Sequence, residues 1–77
     1  MRIISQNGNT DLNYDNCVVV VDENIIEARV GDEIYNLAMY SSEETAKQVF
    51  KRLHNRYLSS NIGLDNSQVI FRFPNEE

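Results

Sequence analysis

Residues 17–40 read as three apolar runs separated by two tight turns, "CVVVV-DEN-IIEARV-GD-EIYNLAMY", and this arrangement constrains the chain more than any other feature. The first run is β-branched throughout and the next two alternate, so all three read as strands. The short turns between them, "DEN" and "GD", leave no room for a crossover, and the strands form an antiparallel meander. Side chains alternate along a strand, so Cys17, Val19 and Val21 lie opposite Val18 and Val20. By the same rule Ile25 opposes Ile26, Ala28 and Val30, and Ile34 opposes Tyr35, Leu37 and Met39. Both faces of the meander are therefore apolar.

Only one helix is available to cover it. The stretch "YSSEETAKQVFKRLHNRYL", residues 40–58, predicts a helix over residues 42–59, with Ser41 and Glu44 spaced as a capping box. Glu43 and Glu44 sit at the positive end of the helix dipole. Ala46, Val49, Phe50, Leu53 and Tyr57 fall on one stripe and predict the packing face. One helix shields one sheet face. The other face, around Val18, Val20 and Ile25, is left for the N-terminal strand, a second copy of the chain or a different protein, and it is the candidate interface.

The flanking segments supply further strands. "MRIIS" predicts a short strand, "QNGNTD" a turn, and "LNY" a few more extended residues. After the helix, "SSNIGLDNS" reads as a loop with Gly63 as a helix stop, "QVIFRF" as a last strand, and "NEE" as a frayed end. The expected fold class is α+β: a small antiparallel sheet, made of the meander plus N- and C-terminal strands, packed on one α-helix. Seventy-seven residues suffice for a single domain, 1–77, and not for two cores.

Charge narrows the function. A net charge of −5 argues against general nucleic-acid binding. The charge is uneven, however: from Thr45 to Leu58 there are four cations and no acid, against three cations and twelve acids elsewhere. Lys47 and Lys51 flank the helix's apolar stripe on one side, Arg52 and Arg56 on the other, as cations commonly border a core with their aliphatic stems. Arg52 and Arg56, one turn apart, can grip one phosphate or carboxylate. With Arg29 and an aromatic neighbour, Tyr57 or Tyr35, they are the candidate contacts for a small nucleotide.

No catalytic constellation is present. The single Cys17 sits in an apolar run as a buried, inert thiol. His54, the only histidine, lies at the edge of the packing stripe, and one Cys with one His leaves zinc short of ligands. "DLNYDN" lacks the spacing and closing Glu of a calcium loop. There is no Gly-rich phosphate loop and no nucleophile elbow. No metal, cofactor or enzymatic activity is expected. The absence of a membrane-length apolar window and of a signal-peptide pattern predicts a cytoplasmic protein without membrane contact.

The start "MRIISQNG", the "YDN" before a β-branched strand, and "LAMYSSEETAKQVFKRL" together resemble small proteins of phages and mobile elements in Gram-positive bacteria. Leu37, Tyr40, Ser41, Glu43 or Glu44, Ala46 and Lys47 carry the helical half of the resemblance. It implies a similar size and strands-then-helix order, and assigns no functional residue. Its context implies a non-enzymatic binding protein, an anti-defence inhibitor acting through contacts with a host protein or with itself as a homo-oligomer. An oligomeric sponge for a nucleotide signal and a phage structural or assembly accessory are the alternatives.

Overall fold

A computed structural model describes residues 1–60 and 69–76. Its strands are β1 (Arg2–Ile4), β2 (Asp11–Asn13), β3 (Val18–Asp22), β4 (Ile25–Val30), β5 (Glu33–Met39) and β6 (Ile70–Arg72), with one helix, α1 (Glu43–Ser60), between β5 and β6. The fold is α+β, with sheet packed on a single helix. The expected stop at Gly63 and the start of the last strand at Gln68 lie outside the described residues.

The strands divide into two three-stranded sheets, ordered β2-β1-β6 and β3-β4-β5. In the first, β1 is antiparallel to β2 but parallel to β6, with Ile3 opposite both Leu12 and Phe71. The expected single antiparallel sheet is corrected in these two respects. Parallel pairing needs a long crossover, and between β1 and β6 the chain lays down the whole meander and the helix.

The meander follows the predicted turns. Gly31 takes a positive φ of 59° at the β4–β5 turn, and Glu23 takes 56° at the β3–β4 turn, an uncommon conformation for a residue with a side chain. Between β4 and β5 the register slips: Glu27 faces Asn36, whereas Ile26 faces Ala38. Leu37 is the extra residue of a β-bulge. As a result Leu37 and Ala38 are both buried, and Met39 swings to the side of Ile34, where it is 62% exposed. Simple alternation had put Met39 on the opposite side from Ile34.

Gln6 joins the two sheets at this bulge. Its N–H donates to the Leu37 carbonyl at 2.7 Å, its Nε2 to the Pro74 carbonyl at 3.2 Å, and its Oε1 accepts from the Met39 N–H at 3.1 Å. The backbone and the side chain of one residue thus satisfy polar groups at the bulge. The Tyr40 hydroxyl donates to the same Pro74 carbonyl at 2.9 Å, while Asn24 and Tyr40 exchange two further bonds.

A single core lies between the two sheets and α1, built on Met1, Ile3, Ile26, Leu37, Leu53 and Phe73. Ala46, Val49 and Leu53 on the helix are buried, with Phe50 and Tyr57 half-buried, as the periodicity predicts. The cap is displaced by one residue from expectation. Ser42 Oγ accepts from the Thr45 N–H at 3.1 Å and donates to Thr45 Oγ1 at 3.0 Å. Ser41 instead donates its N–H and its hydroxyl to the Glu76 carboxylate, at 2.8 and 2.6 Å. The acidic tail is therefore pinned near the helix's positive end and does not fray up to Glu76.

Cys17 is half-buried, its thiol turned to the carbonyls of Asn13 and Tyr14. Burial, reinforced by Asp15, raises its pKa. Burial also raises the phenol pKa of Tyr14 and of Tyr40; Arg52 partly opposes the shift at Tyr40. A raised pKa means that the folded state holds the proton more tightly. The contribution of these groups is therefore complete below the unfolded values, about 9 for the thiol and about 10 for the phenols, and is lost as pH rises through the folded ones. The expected result is a urea midpoint that falls with pH above about 9, with Tyr14→Phe reducing the slope. A slope identical in wild type and variant refutes the assignment to Tyr14.

Candidate functional site

The face of the meander turned away from α1 is built from three cross-strand rows: Val18–Arg29–Ile34, Val20–Glu27–Asn36 and Asp22–Ile25–Met39. All three predicted interface residues lie here, with Val18 exposed and Val20 and Ile25 half-buried. Ile34 and Met39 join them. These two and Val18 are three of the five large hydrophobic side chains that stand out as exposed among the described residues. Met39 was hidden from a period-two reading by the bulge, and Ile34 belongs to the face through its pairing with Arg29.

At the centre of the face Glu27 is only 9% exposed and accepts from Arg29 Nη2 at 2.9 Å. The ion pair lies between Val18, Val20 and Ile34 on one side and Ile25 on the other, so the face is mixed, with Asn36 and Asp22 as its further polar residues. Beside Ile25 and Met39 a cavity of about 170 Å³ opens, bounded also by Gln6, Asn36 and Leu37. It is smaller than the roughly 300 Å³ at which small-molecule sites begin, and its size suits one inserted side chain.

No described segment covers this face. The N-terminal strand, one of the three expected covers, pairs instead with β2 and β6. Nor do Val18, Val20, Ile25 and Ile34 form a second core: the buried cluster and the residues packed on it include none of them.

The predicted anion contacts separate. Arg29 belongs to the outer face of the meander, whereas α1 packs on its inner face. Tyr35, paired with Ala28, belongs to the inner-face set and donates its hydroxyl to Glu33. The Tyr57 ring stacks at 4.5 Å on Tyr14, and its hydroxyl donates to Asp15 at 2.9 Å. Neither tyrosine joins the arginines. Arg52 and Arg56 do remain together, along an open cleft between α1 and β6, and there they meet Arg72, a residue the sequence did not single out. Arg72 arrives through the parallel β1–β6 register, which places it opposite Ile4.

Among the described residues no three His, Cys, Asp or Glu side chains are grouped to hold a metal ion, and no helix is long and apolar enough to cross a membrane. His54 is exposed on α1. The arrangement offers two recognition surfaces, one apolar and one cationic, on different parts of the fold. No known protein family, curated protein or solved structure matches the chain.

Proposed function

We propose that the chain is a non-enzymatic, phage-type binding protein of the host cytoplasm that inhibits a host protein, an anti-defence role, by docking on it through the outer face of the meander. One observation carries this reading: Val18, Ile34 and Met39, at 62, 59 and 62% exposure, share one sheet face with Val20 and Ile25. Contiguous exposed apolar surface marks interaction sites on small soluble domains.

Geometry also indicates how a partner is held. Three strands about 4.8 Å apart and five residues at about 3.3 Å each span roughly 14 by 17 Å. This is less than the roughly 800 Å² per side of a standard interface, so the partner must reach past the rows. The outer edge of β3 is available for this, since among the described residues its backbone pairs only with β4. A partner strand added there extends the surface, and Glu27 with Arg29 sets its orientation.

The test is affinity purification of the tagged protein from host lysate, with the mass of the free protein and of the complex measured by light scattering. The expected result is a monomeric free protein and a stoichiometric complex with one host protein. Recovery of a homo-oligomer alone, or its presence as a component of purified virions, overturns the reading.

A further inference from the structure

We infer that the cleft between α1 and β6 binds a phosphate-bearing small molecule of the mononucleotide class, with Arg52, Arg56 and Arg72 holding the phosphate. The site lies apart from the outer face of the meander and goes beyond the protein-docking reading.

The helix side of the cleft is a single stripe, Arg52, Asn55, Arg56 and Ser59, at the i, i+3, i+4, i+7 spacing that puts residues on one helix face. Across from it β6 presents Ile70, 47% exposed, and Arg72. The cleft is open to solvent along its length, with about 420 Å³ of space between the two elements. No acidic side chain is found among its described lining residues.

Charge makes this arrangement unusual for the chain. Acids outnumber cations 12 to 7, so an average cation has a carboxylate to meet. Arg2, Arg29 and Lys47 each do so, on Asp11, Glu27 and Glu43. Of the other four, Lys51, Arg52, Arg56 and Arg72, none forms an ion pair with a described residue, and the three arginines converge on one cleft. Like charges gathered without a counter-ion among the described residues repel one another, a cost that a bound anion removes.

Purely structural explanations account for only part of this. Cations favour a helix's negative end, but the last turn of α1 carries none. Stems laid along a core edge explain Arg52 and Arg56, yet not Arg72, which projects from a strand. Planar guanidinium forks suit the tetrahedral oxygens of a phosphate. Three of them match a dianion, and the exposed Ile70 gives an apolar rest for a flat ring. A net charge of −5 disfavours a long polyanion and leaves a compact ligand.

Isothermal titration of the full chain at low salt tests the inference, with adenosine 5′-monophosphate, inorganic phosphate, citrate and adenosine as probes. The monophosphate is expected to bind at one site per chain, more tightly than phosphate or citrate, and adenosine not at all. R56Q and R72Q are each expected to weaken it by about tenfold or more, and K51Q, on the helix's other flank, to leave it unchanged. Without ligand, R72Q is expected to melt at or above the wild-type temperature, because it relieves repulsion. Absence of heat from both phosphate probes at about 1 mM overturns the site. So does citrate binding as tightly as the monophosphate, an equal loss in K51Q, or binding indifferent to Arg72. These outcomes leave capture of a host protein untouched, so the two proposals fail separately.

Discussion

Leu53→Ala is expected to lower the unfolding free energy by about 3 to 5 kcal/mol, the largest loss from any single truncation on the helix. Leu53 is fully buried and faces the core that both sheets share with α1. Truncation there removes transfer free energy and leaves a cavity, and residues from several elements would have to move together to fill it. A domain of this size has about 4 to 12 kcal/mol in total, so the variant retains little or none of the margin. Its melting temperature should fall by roughly 4 to 8 °C per kcal/mol lost. Leu58→Ala, five residues on and 52% exposed, is the control and should change stability by less than about 0.5 kcal/mol. Urea denaturation of both variants checks the orientation of the helix: equal losses would mean that the stripe does not face the core.

That orientation was legible because it rests on local information. The spacing of Ala46, Val49, Phe50, Leu53 and Tyr57 needs only a 3.6-residue period, and β3, β4 and β5 need only alternation and short turns. Features that depend on distant residues were not legible. The bulge at Leu37 is stabilised by Gln6, which is 31 positions earlier, and nothing in "EIYNLAMY" signals it. The spacing of Ser41 and Glu44 points to Ser41 as the cap, and nothing near it in sequence says that Ser41 is engaged elsewhere. Glu76 decides this by binding Ser41 and leaving Ser42 as the cap. Arg72 reaches Arg52 and Arg56 only through the parallel pairing of β6 with β1, which no short-range pattern encodes.

The residues that carry the resemblance to phage proteins hold structural positions here. The Ser5 hydroxyl donates to Asn7 Oδ1 at 2.7 Å and accepts the Thr10 N–H at 3.0 Å, shaping the turn in which Gly8 takes a φ of 78°. Gln6 bridges the sheets, Leu37 forms the bulge, Tyr40 ties Asn24 to Pro74, and Ala46 is buried under the helix. These motifs mark the junction between the meander, the N-terminal sheet and the helix. They specify a fold, and of the outer face they include Met39 and the strand of Val18 but not Ile34.

Met39→Asp is expected to weaken capture of the host protein by about 100-fold, or about 2.7 kcal/mol, while changing stability by less than about 1 kcal/mol. The side chain is 62% exposed in the free protein, so its truncation removes little from the core. In the complex a carboxylate at this position is taken out of water beside Ile25, with Asp22 at the far end of the same row and no cation among its cross-strand neighbours. A desolvated, unpaired charge is among the costliest changes an interface can carry. Ile34→Asp should weaken capture less, because its cross-strand partner is Arg29, which bonds Glu27 through Nη2 and has further guanidinium N–H groups to offer the new carboxylate. The ranking of the two variants is therefore a sharper test than either loss alone. Titration of the purified host protein against both variants, with urea denaturation to confirm that they are folded, measures it. If Met39→Asp binds as wild type does, or Ile34→Asp is the more damaging of the two, the outer face of the meander is not the docking surface.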